Sequence, residues 1–365
     1  MSYRSPRRWL LALLLASLSA VATAAERRLF LYNWADFIGY GTIERFEQRT
    51  GIKVVYDTYD AEETMEARLL AGESGYDVVI ASAEFFGREI RAGVYLPLDK
   101  ARLPGWSNLD PTILAQLNSA DPGNRHAIPY MQAINGFAYN VDMIRARMPD
   151  APIGSLDMIF KPEIISRFAD CGVTFLDSPT DVLELALRYL HLDPNTTRQE
   201  DYDAAARLLL RVRPYVRNFD SIEYMNALAN REVCIAMSWS ADYATVMARA
   251  RAAGAPVNLA FTVPEEGANQ TLSGILIPAG APHLEEAYEF LNYMLDPKVI
   301  AGITNQIYYG NANLAANAFV RPEILRDDTL YPTPAIEQRL YWTTESTIAT
   351  DRIRTRVWTR VKTGK

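Results

Sequence analysis

The chain has 365 residues, 49% of them hydrophobic, and a formal net charge of −7. This is enough apolar material for two ordinary cores, so two domains are expected. The acidic balance argues against nucleic acid or anionic lipid as a partner and for a cationic ligand. The three histidines, His126, His191 and His283, are scattered and assemble no metal site by spacing.

The first segment reads as a secretory signal peptide over residues 1–24. Arg4, Arg7 and Arg8 precede an apolar run from Trp9 to Leu18, and Ala22-Thr23-Ala24 gives a small-x-small cleavage site. That run is too short for a retained membrane span, so the mature protein is expected to be exported. Next, RRLFLYNW reads as a strand, GTIERFEQRTG as a helix stopped by Gly51, and IKVVYDTYD as a second strand. AEETMEARLLAGESG and YDVVIAS continue as helix and strand. This βαβαβ pattern implies a mostly parallel sheet covered by helices on both faces.

Parallel sheets place ligand sites at the carboxyl ends of their strands. Here those ends carry Trp34-Ala35-Asp36-Phe37, Tyr59-Asp60 and Ser82-Ala83-Glu84-Phe85. Rings and acids could line one crevice; alternatively the rings are core and the acids cap the following helices. From Asn140 onward come helix-like segments (VDMIRARM, PEIISRFAD, TDVLELALRYL, DYDAAARLLLRVRP). Then VCIAMSW reads as a strand ending in Trp239-Ser240-Ala241-Asp242. Two lobes each presenting Trp and Asp at a strand end suggest a cleft lined from both sides.

VNLAFTVPEEGANQTLSGILIPAGAP reads as extended strands and HLEEAYEFLNYMLDPKVIAGITNQI as helices, suggesting a chain that crosses between lobes more than once. In the terminal DRIRTRVWTRVKTGK, Ile353, Val357, Trp358 and Val361 share one helical stripe. Cys171 and Cys234 are the only cysteines; in an oxidising compartment the pair could be bridged, or it could be two buried thiols.

No hydrolase elbow, zinc-protease helix, P-loop or dinucleotide fingerprint is present, which argues against an enzyme. Rings plus carboxylates suit an alkylammonium ion instead. Its charge is attracted to ring faces at about 0.5–2 kcal/mol each, and its N–H groups are satisfied by carboxylates. A buried dication needs counter-charge, which Asp36, Asp181 and Asp242 would supply.

The chain resembles the periplasmic putrescine- and spermidine-binding proteins of bacterial ABC importers. NWADFI, FEQRTGIKVVYD, YDVVIASAEF, AGVYLPLDK, AIPYMQAINGFAYN, CGVTFLDSP, VCIAMSWSAD, EAYEFLNYML, YYGNANLAA and the terminal segment carry the resemblance. It implies a periplasmic, monomeric solute-binding protein with a bilobal α/β fold (the type II periplasmic-binding-protein fold). Two parallel-rich lobes would close about a hinge, passing a polyamine to a permease without catalysis, cofactor or metal. The expected division is residues 25–134 plus 262–306 for one lobe and 135–261 plus 307–365 for the other.

By the same resemblance, Trp34, Asp36, Phe37, Ser82, Phe85, Asp181, Trp239, Asp242 and Tyr309 form the ligand site, and Cys171 and Cys234 form a disulfide. Ala35 replaces a common serine, where a backbone carbonyl can serve. Thr271 and Ser273 stand where the family usually has an aromatic and an aspartate. Those two departures point to the alternative of another amino-bearing solute on the same scaffold, such as agmatine, an amino acid or an acylated polyamine. A periplasmic enzyme is the remaining alternative.

Overall fold

The structure, a computed structural model, describes residues 26–59, 62–72, 74–344 and 346–364. The leader expected over 1–24 and Asp60 lie outside the described residues. The first lobe opens with β1 (Arg28–Trp34), α1 (Thr42–Thr50), β2 (Lys53–Tyr59), α2 (Glu62–Leu70), β3 (Val78–Ser82) and α3 (Ala83–Arg91). β1 pairs in parallel with both β2 and β3. Side chains alternate across this sheet: Leu29, Leu31, Val78 and Ile80 bury on one face, and Tyr32, Val79 and Ala81 on the other. Both faces are covered, which is why these strands are apolar at nearly every position.

Two long strands tie the lobes together. β4 (Ile128–Asn140) is buried at all 13 positions. Its first half pairs antiparallel with the strand Ala268–Leu276, and its second half, from Asn135 to Tyr139, pairs with the strand Ile235–Trp239. The second lobe is built from β5 (Val173–Phe175), α4 (Pro179–Tyr189), α5 (Gln199–Val212), β6 (Ile235–Trp239), α6 (Ser240–Ala252) and β7 (Leu259–Thr262). β8 (Ala268–Leu276) then returns to the first lobe, antiparallel to β3. The helices α7 (Leu284–Met294) and α8 (Pro297–Ile307) cover the first sheet, and α9 (Ile348–Thr363) closes the chain. The strand order is β2-β1-β3-β8-β4-β6-β5, followed by Asn218–Phe219. One sheet therefore runs through both lobes, parallel at its two ends and antiparallel where they meet.

Gly136 shows how closely the strands approach at this junction. A Cβ there would sit 2.2 Å from the carbonyl oxygen of Thr262. The second-lobe core gathers Phe137, Val173, Leu183, Ile235 and, from α9, Val357, Trp358 and Val361. Cys171 and Cys234 are bridged in this core, with Cα atoms 5.5 Å apart.

The packing crosses the expected lobe division: Ala241 and Ala244, at the start of α6, bury in the first-lobe core. Ala316, Val320, Ile324 and Leu330 bury with Leu31 and Phe290 in the first core, so this stretch sits with the first lobe. The reason is local: Tyr308 turns the chain at φ 61°, and Gly310–Asn311 pairs directly with Met131 and Gln132 in the first half of β4.

Candidate ligand cleft

β6 ends at Trp239 opposite Asn135 of β4, and β3 ends at Ser82 opposite Ser273 of β8, with β1 alongside β3. Asp242 lies in the first turn of α6, just beyond β6. Its Oδ1 accepts a hydrogen bond from the Tyr309 hydroxyl at 3.2 Å, and its Oδ2 accepts one from the buried Tyr224 hydroxyl. Its enclosure raises the carboxyl to about 6. The two tyrosine hydrogen bonds and Arg249 pull it down, and the charge of Asp36 pushes it up. Asp36 follows β1 in a left-handed conformation at φ 56° and lies 3.9 Å from Arg249, with its side chain 80% exposed.

Asp181 lies in the first turn of α4. Ser178 caps that helix: its hydroxyl accepts from the Asp181 backbone N–H and donates to Oδ2 at 2.6 Å. Asn135, at the mid-point of β4, donates to Oδ1 at 3.0 Å. Burial raises the Asp181 carboxyl, against hydrogen bonds from Ser178 and Trp239 that lower it. Opposite stands Glu84, in the first turn of α3. Burial pushes it up to about 7, the Asp181 charge adds to this, and Arg354 opposes it.

Aromatic rings stand beside these acids. Phe37 is buried and meets Tyr309 edge-on at 4.8 Å and Tyr130 at 5.4 Å. Trp34 leans on Tyr59 at 4.7 Å. Tyr309, bonded to Asp242, also feels the charge of Asp181. Acids and aromatic rings are thus interleaved around these strand ends.

The profile of the bacterial extracellular solute-binding proteins matches residues 41–333. The chain belongs to that family. It is 43% identical over 365 residues to the putrescine-binding periplasmic protein PotF of Escherichia coli K12, covering 98% of this chain and 99% of that protein. It is 44% identical over 359 residues to the putrescine-binding periplasmic protein SpuD of Pseudomonas aeruginosa, covering 98% of each. Among solved structures, the spermidine/putrescine substrate-binding protein PotD of Streptococcus pneumoniae superposes with a TM-score of 0.77 at 24% identity. That match covers 93% of this chain and 99% of that one and supports the fold. Members of this family bind solutes for transport and are not enzymes.

In this solute-binding protein the contacts link Asp36, Asp242, Tyr309 and Phe37 as one group, and Asp181 with Trp239 as another. The Ser82 backbone N–H and hydroxyl both go to the buried Glu62. Ser273 pairs with Ser82 across β8 and β3, and Thr271 hydrogen-bonds back to the Ala133 carbonyl. Phe85 stands apart: its ring is covered by the Arg88 guanidinium at 4.5 Å, and Arg88 is paired with Glu66.

The capping alternative for the two aspartates does not hold. The α1 cap position is Gly41, five residues beyond Asp36, and α6 is entered through Trp239, with Asp242 already inside its first turn. The sequence reading also missed Tyr224 as a partner of Asp242 and Asn135 as a partner of Asp181. The signal for Asn135 was a polar residue within an apolar run; Tyr224 left no local signal.

Proposed function

We propose that this protein captures a linear polyamine of the putrescine and spermidine class in the periplasm and presents it, as a monomer and without nucleic acid, to the permease of an ABC importer. One observation carries this reading. Carboxylates from different strand ends lie close enough to feel one another, Asp36 with Asp242 and Asp181 with Glu84, and aromatic rings such as Phe37 and Tyr309 stand beside Asp242. A flexible dication with a methylene middle matches that pattern: ammonium groups find paired counter-charge and the chain packs on rings. Trp34, Ala35, Asp36, Phe37, Ser82, Asp181, Trp239, Asp242, Thr271, Ser273 and Tyr309 are the proposed ligand set, with Phe85 supporting the loop. The names of PotF and SpuD support the same class.

A second reading keeps the scaffold and changes the cargo. Thr271 and Ser273 place hydroxyls where a ring and an acid would grip an ammonium group more tightly, which favours an amine with a different second end, such as agmatine. A relative 41% identical over 344 residues is a putrescine/agmatine-binding protein of Pseudomonas aeruginosa. Thermal melting of ligand-stripped protein with putrescine, cadaverine, spermidine, spermine, agmatine and amino acids tests both readings. A cognate ligand at about a hundred times its Kd adds about 2.7 kcal/mol of stability. A response to polyamines carries the first reading, a response to agmatine alone carries the second, and no response to any amine defeats both.

A further inference from the structure

Glu84 lies in the strand-end segment Ser82–Phe85 but is not among the ligand residues that the resemblance implies. It follows Ser82 by two residues, in the first turn of α3, and Ser82 is the register partner of Ser273. The register pair Ser82 and Ser273 offers only hydroxyls, and the nearby first-lobe carboxylate of Glu62 is taken up by Ser82, which leaves Glu84 as the first-lobe carboxylate there without a partner. A small cavity is lined by Ser82, Glu84, Asn269, Thr271 and Trp342.

Glu84 has no hydrogen bond or ion pair among the described residues. The charged groups around it are Asp181, Glu63, Glu62 and Glu184 on the acidic side and Arg354 and Arg88 on the basic side. Both arginines are already engaged: Arg354 bonds Glu184 and the Tyr202 hydroxyl, and Arg88 is held by Glu66. The Asn269 side chain provides a second, independent sign. It is 1% exposed and lines the same cavity, yet its Oδ1 has no hydrogen-bond donor. Buried acceptors of this kind are normally satisfied, so this one calls for a donor from outside the chain.

We propose that Glu84, assisted by Asn269, is the specificity-determining residue that holds one cationic nitrogen of an α,ω-diamine at the Ser82 end of the cleft, with Asp181 facing it from the second lobe. An ammonium carries three N–H donors, and Glu84, Asp181 and the Asn269 Oδ1 offer three acceptors. This inference rests on the polyamine reading and names the subsite within it. The competing role is purely structural: an acid in the first turn of a helix stabilises that helix through its dipole.

The test is calorimetric titration of the full chain with putrescine, comparing the parent protein, Glu84→Gln, Glu84→Asp, Asp242→Asn and the double variant Glu84→Gln with Ser273→Asp. Losing a charge-assisted bond is expected to weaken putrescine by about 10- to 100-fold in Glu84→Gln. Glu84→Asp, which keeps the charge, should lose less and covers the case where the glutamine variant folds poorly. The double variant moves the carboxylate across the register pair and should recover most of the loss. If Glu84→Gln binds putrescine within threefold of the parent while Asp242→Asn does not bind, the subsite assignment is overturned and the diamine reading survives. If the parent protein binds no diamine, the diamine reading falls and this inference with it. A drop in melting temperature in Glu84→Gln with unchanged affinity would assign the residue to the helix alone.

Discussion

Asp242 is under opposing demands. Its carboxyl rises from an ordinary 3.8 to about 6 in the folded protein because enclosure penalises the charge. Between those values the native state binds a proton that the unfolded chain does not, so stability falls as pH rises through that window. Asp242→Asn removes this penalty. Ligand-free protein at pH 7.5 should therefore melt higher, by a gain of order 1–3 kcal/mol, while the thermal shift given by putrescine disappears. A variant that melted lower and still responded to putrescine would refute this assignment. The pH dependence of binding has the opposite sign. A cation needs Asp242 and Glu84 ionised, and these titrate near 6 and 7 in the empty cleft. Affinity measured by titration should fall between pH 7.5 and pH 5, approaching tenfold per unit for each carboxyl that must lose its proton.

The decisive element is β4. Because it is shared between lobes and lies between β6 and β7 near Asn135, a small change there is transmitted to both. Gly136→Ala would drive a Cβ into the Thr262 carbonyl, and denaturant unfolding should show a loss of at least about 2 kcal/mol. This element was also the hardest to read. β1, β2, β3 and β6 declared themselves by short apolar runs bounded by helices, and α1, α4, α5 and α9 by a 3.6-residue period. β4 is buried at all 13 positions, so it shows no alternation, and Gln132, Asn135 and Gly136 interrupt its apolar character. The same limit applies to the cleft. The sequence places Trp34, Asp36, Trp239 and Asp242 at strand ends, and β1 and β6 do end at Trp34 and Trp239. The bonds from Tyr224, Tyr309 and Asn135 join residues 18, 67 and 46 positions apart and exist only once the sheet has formed. Glu84 was visible as an acid at a strand end, and only its missing partner in three dimensions marked it out.

At the scale of the whole molecule, each acid pair is divided between lobes. Asp36 and Glu84 follow strands of the first lobe and Asp242 and Asp181 follow strands of the second; the Asp36 charge raises the Asp242 carboxyl, and the Asp181 charge raises that of Glu84. With no ligand, ionised pairs repel across the gap and favour separated lobes. Small-angle scattering of ligand-free protein at pH 8 should give a radius of gyration that shrinks as salt rises from about 10 mM to 1 M, where the screening length falls from about 30 Å to 3 Å. Saturating putrescine should produce the same compaction at low salt. A radius indifferent to both would mean that the charge pairs do not set the opening.

If the proposed ligand set holds, the divided pairs also bear on unloading. A permease that drew the lobes apart would strip each cargo nitrogen of one of its two counter-ions in the same movement, so that mechanical opening would itself be the release step.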